Sequence, residues 1–448
     1  MIKMKKENIG DMIHLIEGDI SDEEMLKQYH IDTIVDAARP SLMGMSGEHS
    51  VDGSIHKKIN ALLYKQHCTF NDKIRQELDS DRDTPKNKIR CQRGQAVITK
   101  GYKLCKYVIH VVGTEADTSD MNKTNCSCCR VQKLSECYYN IVEIIKTHRD
   151  IKNIAIPIIS AGNYGFNYKY AFRIAVACLG NALIDWKTKD EEFFKTSDLE
   201  NIYFVMYTNS DIDKYDCNKE FDKYQRKFKK NRKVVYQTSF KTHFQTLKDV
   251  RCNDSSRGYF LIAKWTRYVL LLVRTLFFPF YIFKELFGGD ELFKRRCVVE
   301  ILTMIKAAFP IMIYVYIMHA NMEIWKANVS MGLLIYFMMD TVTYLLALVL
   351  LSDVQPPSAN IIRSMILFFF NYLEVILETS VLYFLHSNYY LEDKISIQKA
   401  LEFGILGERV SENISGILLY VNAGTKFFFL TLIFGYLAVN LKPKQFMS

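Results

Sequence analysis

The distribution of apolar residues along the chain is the tightest constraint on its fold. Before residue 257 no apolar run reaches the roughly 18–20 residues that cross a bilayer. After residue 297 four stretches do, at 298–319, 329–351, 361–386 and 414–440. That division excludes a purely soluble enzyme, and it excludes a disordered chain. Composition divides along the same line. Residues 258–448 hold 19 of the 29 Phe, and residues 1–257 hold 10 of the 11 Cys. Unevenly spaced Cys, in a region large enough for its own core, predict free thiols and a reducing compartment. The start, MIKMKKENIGD, is basic but lacks the apolar core of a cleavable signal peptide. The soluble part is therefore expected to stay where it is made.

Residues 1–210 read as α/β. Strands are predicted at 12–16, 32–35, 94–99, 106–112, 153–159 and 202–207, with helices at 131–147 and 168–186. The alternation predicts a sheet covered on both faces. Residues 211–257 read as a basic linker, densest at Lys223, Arg226, Lys227, Lys229, Lys230, Arg232 and Lys233. Together with the net charge of +9, this run points to anionic lipid headgroups rather than nucleic acid. Residues 258–297 read as an interfacial helix and connector. Within it, Lys264, Arg267 and Arg274 fall within about 80° on a helical wheel, opposite a Leu/Phe face, and Pro279 is placed to bend it. Residues 298–441 then form a four-helix transmembrane domain. Four spans and the excess of Lys and Arg predict both termini in the cytoplasm and the loop 387–413 outside.

Ser160-Ala161-Gly162-Asn163-Tyr164-Gly165 follows an apolar strand and precedes a helix. Its two Gly let successive N–H groups converge, which suits a phosphate as well as a plain turn. Two further segments are IEGDISDEEMLKQYHIDTIVDAARPSLMGMSGEHSVDGSIHKKI (16–59) and CQRGQAVITKGYKLCKYVIHVVG (91–113). In this order the three resemble the macro domain, the family that binds ADP-ribose. The resemblance covers about 200 residues and implies a three-layer α/β/α fold. It implies that Asp19, with Ile20 beside it, accepts a hydrogen bond from the adenine amino group. Val51, Asp52, Gly53 and the following Ser54-Ile55-His56 would approach the diphosphate and distal ribose. Ser160 to Gly165 would wrap the phosphates, with Phe166 near the distal ribose.

Where hydrolytic relatives carry Asn-Ala-Ala-Asn, this chain has Asp36-Ala37-Ala38-Arg39. Both Asn are absent, so the resemblance implies binding of an ADP-ribose derivative, with no catalytic residue and no cofactor. A membrane-anchored ADP-ribosylhydrolase is the alternative. Arg39, Glu48 and His49 would lie at the distal end and read a group attached there; Arg39 could instead only pair with Glu48. Cys126, Cys128, Cys129 and Cys137 lack the paired spacing of structural zinc sites. They read as a Cys-rich surface loop, and His56 and His110 read as ordinary helix and strand residues, so no metal is expected.

Five ionisable residues lie inside the spans: Lys306, Asp340, Glu374, Glu378 and Lys426. Such residues face protein or water. Lys426 could pair with Glu374 or Asp340 and hold the bundle together. Three acids against two bases could instead line a cation path in an oligomer. A macro domain joined to such a module resembles the macro-domain membrane effectors of the Thoeris anti-phage system. That resemblance implies a homo-oligomer in the bacterial inner membrane. Its signal would be an ADP-ribose–amino acid conjugate, such as one with histidine, made by a separate NAD-consuming TIR-domain enzyme.

Overall fold

The computed structural model describes residues 8–44, 50–79, 85, 87–115, 127–255, 257–319, 323–351, 354, 361–391, 394–407 and 416–440. The chain divides into two units. The first is 1–253 with 290–293; the second is 254–289 with 294–448.

The first unit is built on strands β1 (Ile13–Glu17), β2 (Thr33–Ala38), β3 (Ala96–Lys100), β4 (Tyr107–Val112), β5 (Asn153–Pro157) and β6 (Asn201–Met206). They form one sheet in the order β1-β6-β5-β2-β4-β3. Only β3 runs antiparallel to its neighbour. Helices α1 (Ile9–Met12), α2 (Glu23–Gln28), α3 (Val51–Leu63), α4 (Phe70–Leu78), α5 (Ser127–Thr147), α6 (Tyr168–Lys189), α7 (Glu191–Thr196), α8 (Asp211–Phe228) and α9 (Ser239–Asn253) complete the unit. Strand side chains alternate between the two faces. Val35, Ile109, Ile156 and Phe204 meet α5, α6 and α8 on one side. Ile34, Val108, Ala155 and Val205 meet α2, α3 and α4 on the other. This is the expected three-layer α/β/α arrangement, and each predicted strand lies within a few residues of its observed place.

The expected linker does not hold. Residues 211–253 fold onto the first unit as α8 and α9. Cys217, Phe221, Tyr224 and Phe228 are buried along α8, at the three- and four-residue steps of one helical face. Most of the basic run is paired within this unit. Lys223 and Lys227 meet Asp290, Lys229 meets Asp11, Arg232 meets Glu291 at 2.9 Å, and Lys233 meets Asp185. A surface with its cations so occupied has few left for lipid headgroups.

The second unit contains α10 (Leu261–Arg274), α11 (Phe278–Gly288), α12 (Leu292–His319), α13 (Ile324–Leu350), α14 (Ile361–Tyr390), α15 (Ile397–Leu406) and α16 (Gly416–Asn440). Among the described residues, three helices are long and apolar enough to cross a membrane: Leu292–His319, Ile324–Leu350 and Ile362–Tyr390. In α16 the side chains are described only to Thr431, and Ile417–Thr431 is an apolar helix of shorter length. The stretch 258–287 is two helices joined by a 3₁₀ turn, Thr275–Phe277. Pro279 sits in the first turn of α11, where its missing N–H costs nothing. The basic stripe turns inward rather than outward. Arg267 is buried, donating to Asp254 at 2.8 Å and to the Leu350 carbonyl at 2.6 Å. Arg274 is buried too, with its guanidinium over the Tyr344 ring. The exposed face carries Leu261, Ile262, Trp265, Val269, Leu272 and Leu276. The loop 387–413 is likewise not simply an outer connection: it contains α15, whose Phe403 ring packs at a tilt against Tyr383 of α14, 4.2 Å between centroids.

Candidate functional site

At the carboxyl ends of β1, β2, β5 and β6 the first unit opens a cavity of about 410 Å³, a size suited to a small ligand at the place where open α/β sheets bind one. Gly18, Asp19 and Ile20 after β1 form part of its wall. Asp19 Oδ1 accepts from both the N–H and the hydroxyl of Ser21, each at 2.8 Å, which fixes the carboxylate. Ser50, Val51 and Ser54 add the start of α3. Ser50 caps that helix, its Oγ accepting from Gly53 N at 3.0 Å. The positive end of the α3 dipole therefore lies at the wall, where an anion is favoured.

The loop Ser160–Tyr164 supplies another stretch of wall. Ser160 has φ 67°, uncommon for a residue with a Cβ. It is held there because its Oγ accepts from Thr114 N and its carbonyl from Phe166 N, both at 3.0 Å. Gly165, at φ 71°, donates to Gly162 O at 2.8 Å. The N–H groups of Gly162 and Tyr164 take no acceptor among the described residues, which leaves them for a ligand. The two Gly are not equivalent. Gly165 needs its left-handed backbone, whereas a Cβ on Gly162 would meet nothing within 4 Å.

A family model described as Macro domain matches residues 35–175. A macro domain-containing protein of Methanosarcina mazei is 31% identical over 199 residues, 44% of this chain and 82% of the relative. The chain belongs to the macro-domain family. A macro domain-containing protein of Caldanaerobacter subterraneus is 31% identical over 215 residues, 48% of this chain and 99% of its own. The mouse ADP-ribose glycohydrolase MACROD1 is 31% identical over 186 residues, 41% of this chain, and the match spans 47% of the mouse protein. Among solved structures, the Oceanobacillus iheyensis macrodomain with ADP is 26% identical. It covers 50% of this chain and 97% of its own, with a TM-score of 0.34.

Within this macro domain the expected residues separate into three groups. Asp19, Ile20, Val51, Ser160, Ala161, Gly162, Asn163 and Tyr164 line the cavity. Asp36, Arg39, Asp52, Gly53, Gly165 and Phe166 do not. Phe166 packs against the core instead of standing over the space. Glu48, His49 and Cys126 fall outside the described residues, as do the side chains of Cys128 and Cys129. Cys137 is not in a surface loop: it is a buried core residue of α5, and burial pushes its thiol up. Cys68, Cys91, Cys105, Cys178 and Cys217 are also free thiols. Sequence reasoning missed Tyr168, Tyr207, Thr208 and Asp213 in the wall. Tyr207 and Thr208 were findable, because they follow the carboxyl end of a predicted strand.

Asp36 and Asp52 lie buried behind the wall. His110 Nδ1 is 2.9 Å from Asp36 Oδ2, and His110 Nε2 is 2.9 Å from Thr99 Oγ1. Burial pushes His110 down to about 3, so it is a neutral imidazole bridging the two. Burial, reinforced by Asp52, holds the Asp36 carboxyl well above the usual range. Burial alone would lower His56, but Asp52 and Asp36 outweigh it and raise it. Toward Tyr164 stand two guanidinium groups. Arg93 lies 5.7 Å from the ring centroid and pairs with Glu115 at 2.8 Å. Arg39 is half-buried and makes no ion pair among the described residues. Burial raises the Tyr164 hydroxyl, and Arg93 and Arg39 oppose that.

In the second unit the partner of the acids is not Lys426. Lys306 reaches Asp340 at 2.9 Å and Glu374 at 3.3 Å, and it also meets Thr341. Thr341 donates to Glu374 at 2.8 Å. Glu378, one turn on from Glu374, is fully buried. Lys426 is half-buried and makes no ion pair among the described residues.

Proposed function

We propose that the chain is a membrane effector whose macro domain senses an ADP-ribose-derived nucleotide and whose helical unit then permeabilises a membrane. The observation that carries this reading is the cavity itself. A fixed carboxylate at Asp19, the α3 N-terminus and the Gly162 and Tyr164 N–H groups border one space. An adenine, a diphosphate and a ribose need a carboxylate, an anion nest and a helix dipole in that relation. The name of the mouse relative, an ADP-ribose glycohydrolase, supports the ligand class.

Binding without cleavage is part of the proposal. Arg39 stands where the hydrolytic pattern has Asn, and Asp52 is buried behind the wall rather than exposed in it. An Asp so placed has no room to activate a water on a bound ribose. Arg39 and Arg93 favour a carboxylate-bearing group on the distal ribose, such as an amino acid. A TIR-domain enzyme acting on NAD would supply such a signal in anti-phage defence.

The membrane half enters through its helices. A ligand shifts the helical unit only through tighter binding to the active state. Residues 290–293 belong to the first unit although the chain on both sides belongs to the second, so this segment is the natural coupler. Ligand-driven association of several copies would then rearrange the spans, with the macro domain in the cytoplasm and the spans in the inner membrane. The test is calorimetry of the full chain in detergent with ADP-ribose and its amino-acid conjugates, followed by dye leakage from liposomes. Binding with ligand-dependent leakage is expected. No heat with any such compound, leakage indifferent to ligand, or release of free ADP-ribose would each overturn the reading.

A further inference from the structure

Behind the cavity wall, three buried side chains converge from two elements. Asp36 on β2 and Asp52 and His56 on α3 each offer one ligand atom, all within 4.8 Å of one another. Both Asp are 0% exposed and His56 is 6% exposed. Asp36 Oδ1, both carboxylate oxygens of Asp52, and His56 Nε2 make no hydrogen bond among the described residues. Asp52 Oδ1 stands 3.2 Å from His56 Nε2, yet the two are not aligned as donor and acceptor. Leaving such atoms unsatisfied out of water is costly. Two facing carboxylates add mutual repulsion that low dielectric magnifies.

We propose that Asp36, Asp52 and His56 hold a divalent transition-metal ion of the Zn²⁺ or Mn²⁺ class. The charges balance, because two carboxylates neutralise one dication. An imidazole beside two carboxylates selects such an ion over Ca²⁺ or Mg²⁺, which prefer all-oxygen sites. The surroundings fit a metal ligand as well. His110 engages Asp36 Oδ2 at 2.9 Å and leaves Oδ1 open, and Thr99 fixes His110 from behind. Outer contacts of this kind orient ligands at metal centres. Ala37, Val51 and Ser54, which adjoin these residues in sequence, line the cavity. The ion therefore ties the end of β2 to the first turns of α3 and braces the wall that receives the ligand. This role is independent of which nucleotide binds.

The test uses the full chain in detergent, purified without chelator. Elemental analysis is expected to find a single equivalent of metal. After stripping with chelator, Mn²⁺ titration followed by electron paramagnetic resonance should show binding. That binding should weaken by about 100-fold or more in Asp36→Asn and in Asp52→Asn, since even outer-shell changes cost 10–100-fold. Zn²⁺ should raise the melting temperature of the stripped wild type and not of Asp36→Asn, whose circular dichroism should match the wild type. No binding of Mn²⁺ or Zn²⁺ at millimolar concentration by the wild type would overturn the proposal and leave the cluster balanced by protons. Undiminished metal binding in both variants would overturn it by placing the ion elsewhere. Should one variant fail to fold, the other variant and the wild-type titration still decide. Calorimetry of the stripped wild type with ADP-ribose is a separate measurement, so failure of the metal and failure of the nucleotide reading are distinguishable.

Discussion

Gly180 gives a contest of signs that reports on whether residues 211–228 belong to the macro domain. It lies inside α6 and is buried. On helix propensity alone, Gly→Ala there stabilises by about 0.5–1 kcal/mol. The packing argues the reverse. A Cβ at Gly180 would lie 2.3 Å from Phe228 Cζ and 2.6 and 2.7 Å from the two Cε atoms. Phe228 is fully exposed nowhere: its solvent exposure is 0%, with Tyr224 beside it. The ring therefore cannot step aside, and overpacking of this kind costs about 1–3 kcal/mol. The net expectation is a loss of about 1–2 kcal/mol in Gly180→Ala. At roughly 2–4 °C per kcal/mol for a domain of this size, the macro-domain transition should fall by about 2–8 °C. Thermal unfolding of the full chain in detergent, followed through Trp186 on the same helix, measures it. In the double variant Gly180→Ala/Phe228→Leu the clash is relieved, so it should be no less stable than Phe228→Leu alone. A Gly180→Ala protein as stable as the wild type, or more so, would refute the docking of α8 on α6.

The other predictions concern the cavity, the buried network and the helical unit. Gly165→Ala should cost about 1–2 kcal/mol because its backbone is left-handed, read by chemical denaturation, whereas Gly162→Val should leave stability within about 0.5 kcal/mol and lower ADP-ribose affinity in calorimetry. Asp19→Ala should weaken ADP-ribose binding by about 1.5–3 kcal/mol, the worth of a hydrogen bond to a charged group. For His110 the folded-state value of about 3 lies below the unfolded value. Its contribution is therefore intact above pH ~6.5 and lost as pH falls, by up to about 1.4 kcal/mol per unit; Asp36, raised by burial, works in the opposite direction. Replacing His110 removes the destabilising term and leaves that of Asp36, so in chemical denaturation His110→Gln should lose less stability than the wild type, or gain some, as the pH falls from 6.5 to 4. Lys306→Met leaves Asp340 and Glu374 buried without their cation and should cost about 3–5 kcal/mol, seen as a lower melting temperature of the helical unit.

Chain-local pattern was enough for the elements and the ligand loops. Strands such as 107–112 and 201–206 are apolar runs bounded by turn residues, and a strand's period shows within six residues. The 160–165 loop and the Val51-Asp52-Gly53 turn are contiguous in sequence, so their chemistry was legible before any fold was known. The α8 helix was not, because its four buried residues are spread among ten charged ones in Asp211–Phe228. Only the groove beside α6 distinguishes that stripe from a solvated linker.

The sequence by itself determined that one part of this protein is a covered α/β sheet with a nucleotide-type loop and the other a set of bilayer-length helices. Periodicity and apolar length are properties of neighbouring residues, and they survive without knowledge of any distant contact. Tertiary structure alone decided the pairings. It brought Asp36, Asp52 and His110 together across 74 and 58 residues of chain, gave Lys306 rather than Lys426 to the buried acids, and turned Arg267 inward onto Asp254. A charge in low dielectric is governed by what faces it within a few ångströms, and the order of residues along a chain does not contain that distance.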